Sequence, residues 1–180
     1  MAHQSQPQPE TSGTRDARRA LLAQLDEVVK GIIGAVEESA NPETLPVDNW
    51  TAKDTLGHIA FWHESFARNA KALVDGRQPK VLSGKYPDLN RQGVEHSRSM
   101  SVGQIAGRIK RAQAVIRRCL IRMPANVMIP YRQGSRDYSP DEHIAIVRDH
   151  IVAHWHRIEK AARRERRRSR AAGSAAREAQ

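Results

Sequence analysis

Features that define several common protein classes are scarce or missing in this 180-residue sequence. A single cysteine, Cys119, excludes an internal disulfide framework and fits a reducing compartment, so we expect a cytoplasmic protein. No apolar run approaches the roughly 18 residues of a membrane span, and residues 1–13 lack the apolar core of a secretory signal. Aromatic residues make up only 4% of the chain, which argues against a β-sandwich.

Acidic residues are too few to balance the basic ones, and the net charge is +10. More than half of this excess lies in residues 157–170, where eight basic side chains accompany two glutamates. Such charge runs are usually solvated faces or tails. We therefore expect nucleic-acid binding through this stretch to be at most an accessory property, and we expect no membrane partner.

The sequence does contain helical periodicity. Apolar residues recur at spacings of three and four in four stretches, which predict four amphipathic helices. The predicted helices run over Thr14–Ser39, Thr51–Gly76, Ser101–Pro124 and Ser139–Arg168. Three of them begin with a Ser or Thr followed three residues later by Asp, Gln or Glu, as in a capping box. In the helix-three stripe, Cys119 is expected to pack in the core.

The segments between these helices differ in length. Residues 77–100 form a long connection, with a short helix after Pro87 as one possibility. Such a connection is the crossover that a bundle needs between parallel neighbours. The sequence therefore predicts an all-α fold, a four-helix bundle over residues 14–168. Disordered tails are predicted at residues 1–13 and at the basic residues 169–180.

Two histidines in the last helix are placed to bind a metal ion. His150 and His154 are four residues apart, so their side chains share one helix face, and two such imidazoles can bind one divalent ion. They lie along the edge of an apolar stripe that includes Ile151 and Ile158. This spacing also occurs by chance, and the alternative is a pair of polar residues on a helix flank. A catalytic metal needs a third protein ligand and an open position.

Four other histidines are candidates for the third ligand. His143 lies seven residues before His150, about 10 Å along the helix axis, which is too far for both to bind one ion. His63 falls in the centre of the helix-two stripe, where a packed core histidine is expected. His96 has no assignable place in the long connection. His58 lies on a stripe edge, as the late pair does.

One segment resembles a known family. Asn49–His63, NWTAKDTLGHIAFWH, is similar to the W-(T/S)-x-(K/R)-D-x-(L/V)-x-H-(I/L) opening of helix two in the DinB/YfiT superfamily. The resemblance covers about residues 15–160. The pairs Leu89-Asn90 and Trp62-His63 resemble the ClbS/DfsB-like branch in particular. The Arg-rich end of the last helix is not a feature that we associate with this superfamily.

The resemblance implies a fold, a site and a function class. It implies a four-helix bundle in which His58, His150 and His154 bind one divalent ion, for which we expect zinc or nickel. It further implies hydrolysis of a small reactive electrophile, or transfer with a low-molecular-weight thiol, in detoxification or self-resistance. The alternative is a non-catalytic stress-related protein that binds a small molecule or a metal. A homodimer is compatible with either hypothesis.

Six further residues are expected near such a centre. The pocket wall would include aromatic and amide side chains, for each of which ordinary packing is the alternative: Trp62, Tyr86, Asn90 and Trp155. Glu64 and Asp149 are possible partners for the imidazole N–H groups. No residue stands out as a general base.

Overall fold

The computed structural model describes residues 12–178 and contains five α-helices and one two-stranded sheet. In chain order the elements are α1 (Ser12–Glu37), β1 (Pro46–Val47), β2 (Trp50–Thr51), α2 (Ala52–Val74), α3 (Tyr86–Ser97), α4 (Val102–Leu120) and α5 (Pro140–Glu178). The predicted all-α class is confirmed. Across the described residues, none of the helices has the length and apolar character that a membrane crossing requires.

Side-chain caps fix where α2 and α5 begin. At the start of α2, the Thr51 hydroxyl accepts from the Asp54 amide at 3.0 Å, and the Asp54 carboxylate accepts from the Thr51 amide at 3.1 Å. The Glu142 carboxylate accepts from the Ser139 amide at 3.0 Å just before α5. A third reciprocal cap forms at Ser101. These caps satisfy amides that the first turn leaves free, as the sequence predicted.

The four longer helices share one hydrophobic core. α2 packs chiefly against α4, and α1 packs chiefly against α5. Fully buried side chains from all four helices meet in this core, among them Leu25, Ile32, Leu56, Phe66, Ile109, Ile116, Ile144 and Ile151. Cys119 is buried in the same core, as predicted. β1 and β2 pair antiparallel and lead directly into α2, with Asp48 at the turn in the left-handed region at φ 54°.

The structure differs from the prediction at the start of α1, at the end of α5 and in the long connection. α1 begins at Ser12, inside the predicted N-terminal tail, of which residues 1–11 lie outside the described part of the chain. α5 continues to Glu178, so the predicted tail at 169–180 is helical through that residue, because its Ala, Arg and Glu residues favour helix. The long connection contains a full helix, α3, packed against α2.

Candidate metal centre

Helices α2 and α5 bring three imidazoles together. The Nε2 atom of His150 lies 3.2 Å from Nε2 of His58 and 3.0 Å from Nε2 of His154. One ring nitrogen of each histidine lies within 4.8 Å of the other two. A tetrahedral ion with metal–nitrogen bonds of about 2.0–2.1 Å separates its ligand nitrogens by about 3.4 Å. The three predicted histidines are therefore close enough to hold a single metal ion.

Burial keeps these imidazoles neutral. The pKa of His58 is lowered to about 3, chiefly by burial and also by the nearby His150 and His154. Burial also lowers the pKa of His154 to about 4, with His150 and Arg157 acting in the same direction and Asp48 opposing them. The pKa of His150 is lowered by burial and by Arg157. Since metals bind the neutral imidazole, all three rings are ready as ligands at neutral pH.

The other candidates for a third ligand lie elsewhere. His63 is buried in the core, where its Nε2 lies 2.8 Å from the side-chain oxygen of Gln113. His143 is also buried, and its ring stacks on Phe66 at a centroid distance of 3.8 Å. His96 is exposed on α3. Of the four candidates, His58 is therefore the one that lies beside His150 and His154, as the sequence predicted.

Three of the four predicted wall residues form one cluster. The Trp62 indole N–H donates to the Asn90 side-chain oxygen at 2.9 Å, which joins α2 to α3. The rings of Trp62 and Tyr86 are 5.9 Å apart. Tyr131, which no sequence pattern indicates, stacks on Trp62 at 5.0 Å. It lies in the connection between α4 and α5, where no helical periodicity shows which way a side chain points.

This aromatic cluster adjoins the three imidazoles. Trp62 and Tyr131 line a cavity of about 20 Å³ that His150 also lines. A space of that size holds about one water molecule. The cluster therefore packs beside His150. The cavity between them is large enough for a water molecule but not for a substrate.

The structure places Trp155 apart from this cluster. Its indole lies against α1, where a Cβ on Gly31 would come within 2.3 Å of the ring. Gly31 is therefore the residue that lets the indole approach the α1 backbone. Trp155 contributes to the packing of α1 against α5, and the cluster of Trp62, Tyr86 and Asn90 does not include it.

The two carboxylates expected near the imidazoles have other partners. Glu64 accepts two hydrogen bonds from Arg108, at 2.8 and 2.7 Å. Asp149 pairs with Arg148 at 2.8 Å. Next to His58, in place of a carboxylate, lies Trp50, whose ring centroid is 4.9 Å from that of His58. The His58 Nδ1 atom is buried without a hydrogen-bond partner.

Comparisons of the chain with protein-family models, with curated proteins and with solved structures found no significant match. The resemblance to the DinB/YfiT superfamily rests on the segment around His58 and on the late histidine pair, and it stays a prediction.

Proposed function

We propose that the protein is a metal-dependent member of the DinB/YfiT-like superfamily, nearest to the ClbS/DfsB-like branch. In this proposal α1, α2, α4 and α5 form the four-helix bundle, and α3 lies in its crossover connection. The observation that carries the proposal is the convergence of the Nε2 atoms of His58, His150 and His154 from helices far apart in the sequence.

The chemistry of this donor set fits an enzyme. Three neutral imidazoles leave a divalent ion its full charge and at least one open position. An ion held by His58, His150 and His154 would supply Lewis-acid chemistry, which would make a water or a thiolate at the open position a better nucleophile at neutral pH. The proposed reaction is hydrolysis of a small reactive electrophile, or transfer of a low-molecular-weight thiol to it. Trp62 and Tyr131 would shield the centre on one side.

Metal analysis tests the site. We expect the purified protein to bind about one zinc or nickel ion per chain, and His58→Ala and His154→Ala to lose most of it. His156→Ala is the matched control. His156 is exposed on the same helix as His154, so this variant should keep its metal. Equal metal content in wild type, His58→Ala and His154→Ala, measured by mass spectrometry of the digested protein, would remove the centre.

A second function, metal or small-molecule binding without turnover, is favoured by two observations. The cavity beside His150 is only about 20 Å³, and Glu64 and Asp149 are held by arginines. Incubating the metal-loaded protein with excess styrene oxide, with and without 2-mercaptoethanol, separates the two functions. More than one product molecule per chain indicates an enzyme, and dependence on the thiol indicates a transferase. A single stoichiometric event indicates sequestration.

A further inference from the structure

A basic groove lies between the C-terminal half of α5 and the hairpin of β1 and β2. Its volume is about 730 Å³. The charged side chains that line it are four cations and two carboxylates: Arg157, Lys160, Arg164, Arg168, Asp48 and Glu165. The cations recur every three or four residues, so they project from one face of α5. Leu45, Val47 and Ala161 add an apolar part to the lining.

The four cations outnumber the two carboxylates, so the lining carries a net charge of +2. Arg157 pairs with Asp48 at 3.4 Å. In the part of the chain that the structure describes, Lys160, Arg164 and Arg168 form no ion pair, although Arg163 on the same helix reaches Glu159 at 3.6 Å. Several cations that line a concave surface raise the local concentration of anions. The groove is therefore suited to a ligand with more than one negative charge.

One end of the groove borders the metal centre. Arg157 lines the groove and lies three residues after His154, so the two side chains are neighbours on α5. Asp48, also in the lining, lies two residues before Trp50, whose ring centroid is 4.9 Å from that of His58. Along the axis of α5, Arg164 and Arg168 follow His154 at about 15 and 21 Å. The groove thus provides space for a substrate-sized molecule beside the centre, in contrast to the water-sized cavity at Trp62.

We propose that this groove binds an extended small molecule that carries two or more phosphate or carboxylate groups, with its reactive end at the metal centre. Guanidinium groups suit this role because each donates two parallel hydrogen bonds to a phosphate or carboxylate. The link to the metal centre rests on the function proposed above, whereas the anion site depends on the groove alone.

Calorimetric titration with fructose 1,6-bisphosphate, which carries two separated phosphates, tests the site. We expect wild type to bind it more tightly than inorganic phosphate, and Arg164→Gln/Arg168→Gln to weaken binding about tenfold or more. The matched control is Arg163→Gln/Arg167→Gln. It removes the same charge at the same spacing from side chains outside the groove, so its affinity should stay within about twofold of wild type. Circular dichroism checks that both variants remain folded.

Equal weakening by the two double variants would overturn the proposal, because net charge alone would then explain binding. Titration with adipate shows whether dicarboxylates are accepted as well as bisphosphates. A 12-nucleotide single strand that binds more tightly than the bisphosphate, and equally in both variants, would also overturn it in favour of nucleic acid. Zinc content is measured on the same samples. If only the groove variant loses affinity for the bisphosphate and no protein contains zinc, the anion site is supported and the proposed function is contradicted. If zinc is bound but both double variants lose affinity equally, the metal site is supported and the anion site is contradicted.

Discussion

At the scale of single residues, His143 shows what burial does to an imidazole without partners. Both of its ring nitrogens are buried with no hydrogen bond, and the ring is enclosed by Phe66, Tyr131 and Tyr138. Its pKa is lowered from 6.5 in the unfolded chain to about 3, chiefly by burial and also by His63. The unfolded chain therefore takes up the proton first. The contribution of a neutral His143 to stability is complete above pH 6.5 and is lost as the pH falls towards 3.

Replacing His143 with Leu should remove this loss of stability at low pH. We expect the free energy of unfolding of His143→Leu to equal or exceed that of wild type at pH 7.5, since two unsatisfied polar atoms are removed. At pH 5.0 the difference should grow by about 2 kcal/mol in favour of the variant. Urea unfolding at both pH values measures this change. A difference that stays constant between the two pH values would contradict the effect of burial on His143.

Two glycines of α1 predict opposite effects of the same substitution. In Gly31→Ala the new Cβ meets the Trp155 ring, so the variant should lose about 1–3 kcal/mol of stability. At Gly34 the nearest atom to a Cβ is a Glu38 side-chain oxygen at 4.0 Å, so Gly34→Ala should gain about 0.5–1 kcal/mol from helix propensity. Thermal unfolding of the pair measures both. A gain in both variants would mean that the indole does not lie against α1.

These residues also show how far the sequence predicts the site. Helical periodicity gives each side chain a direction, so the sequence alone places His58, His150 and His154 on stripe edges. Periodicity says nothing about a partner helix. It therefore cannot show that Gly31 makes room for the ring of Trp155 on another helix.

At the scale of the elements, α3 depends on its contact with α2. It buries few apolar side chains, chiefly Leu89 and Val94, and its N-cap residue makes no side-chain hydrogen bond. What holds it is close packing at Gly93, where a Cβ would lie 2.9 Å from the Phe61 Cβ, together with the bond from Trp62 to Asn90. A helix held by such contacts leaves little periodic signal, which is why the sequence predicted at most a short one.

Substituting Gly93 therefore tests how α3 is held. We expect Gly93→Ala to push α3 away from α2 and to cost about 1–3 kcal/mol, with faster amide exchange confined largely to α3. Hydrogen exchange read by mass spectrometry locates the effect. Gly103→Ala on α4 is the control, because a Cβ there meets nothing closer than 4.0 Å. Uniformly faster exchange across all helices would show that α3 is not an independently docked element.

At the scale of the whole molecule, the proposed ion would join two helices that are distant in the sequence. His58 and His150 are 92 positions apart, and the direct packing of α2 is mainly with α4 and α3 rather than with α5. An ion shared between α2 and α5 binds only when both are in place. Its binding free energy would therefore add to the stability of the folded chain.

We accordingly expect zinc or nickel to raise the Tm of the wild-type protein. A free concentration of 100 times the Kd should stabilise it by about 2.7 kcal/mol. Because burial lowers the pKa of His58 to about 3 and that of His154 to about 4, protons compete poorly, and the increase should persist at pH 6. His58→Ala and His154→Ala should each lose the increase, although they lie on different helices, and His156→Ala should retain it. Scanning calorimetry with and without metal measures these shifts, and an equal increase in all four proteins would place the ion outside the three-histidine centre.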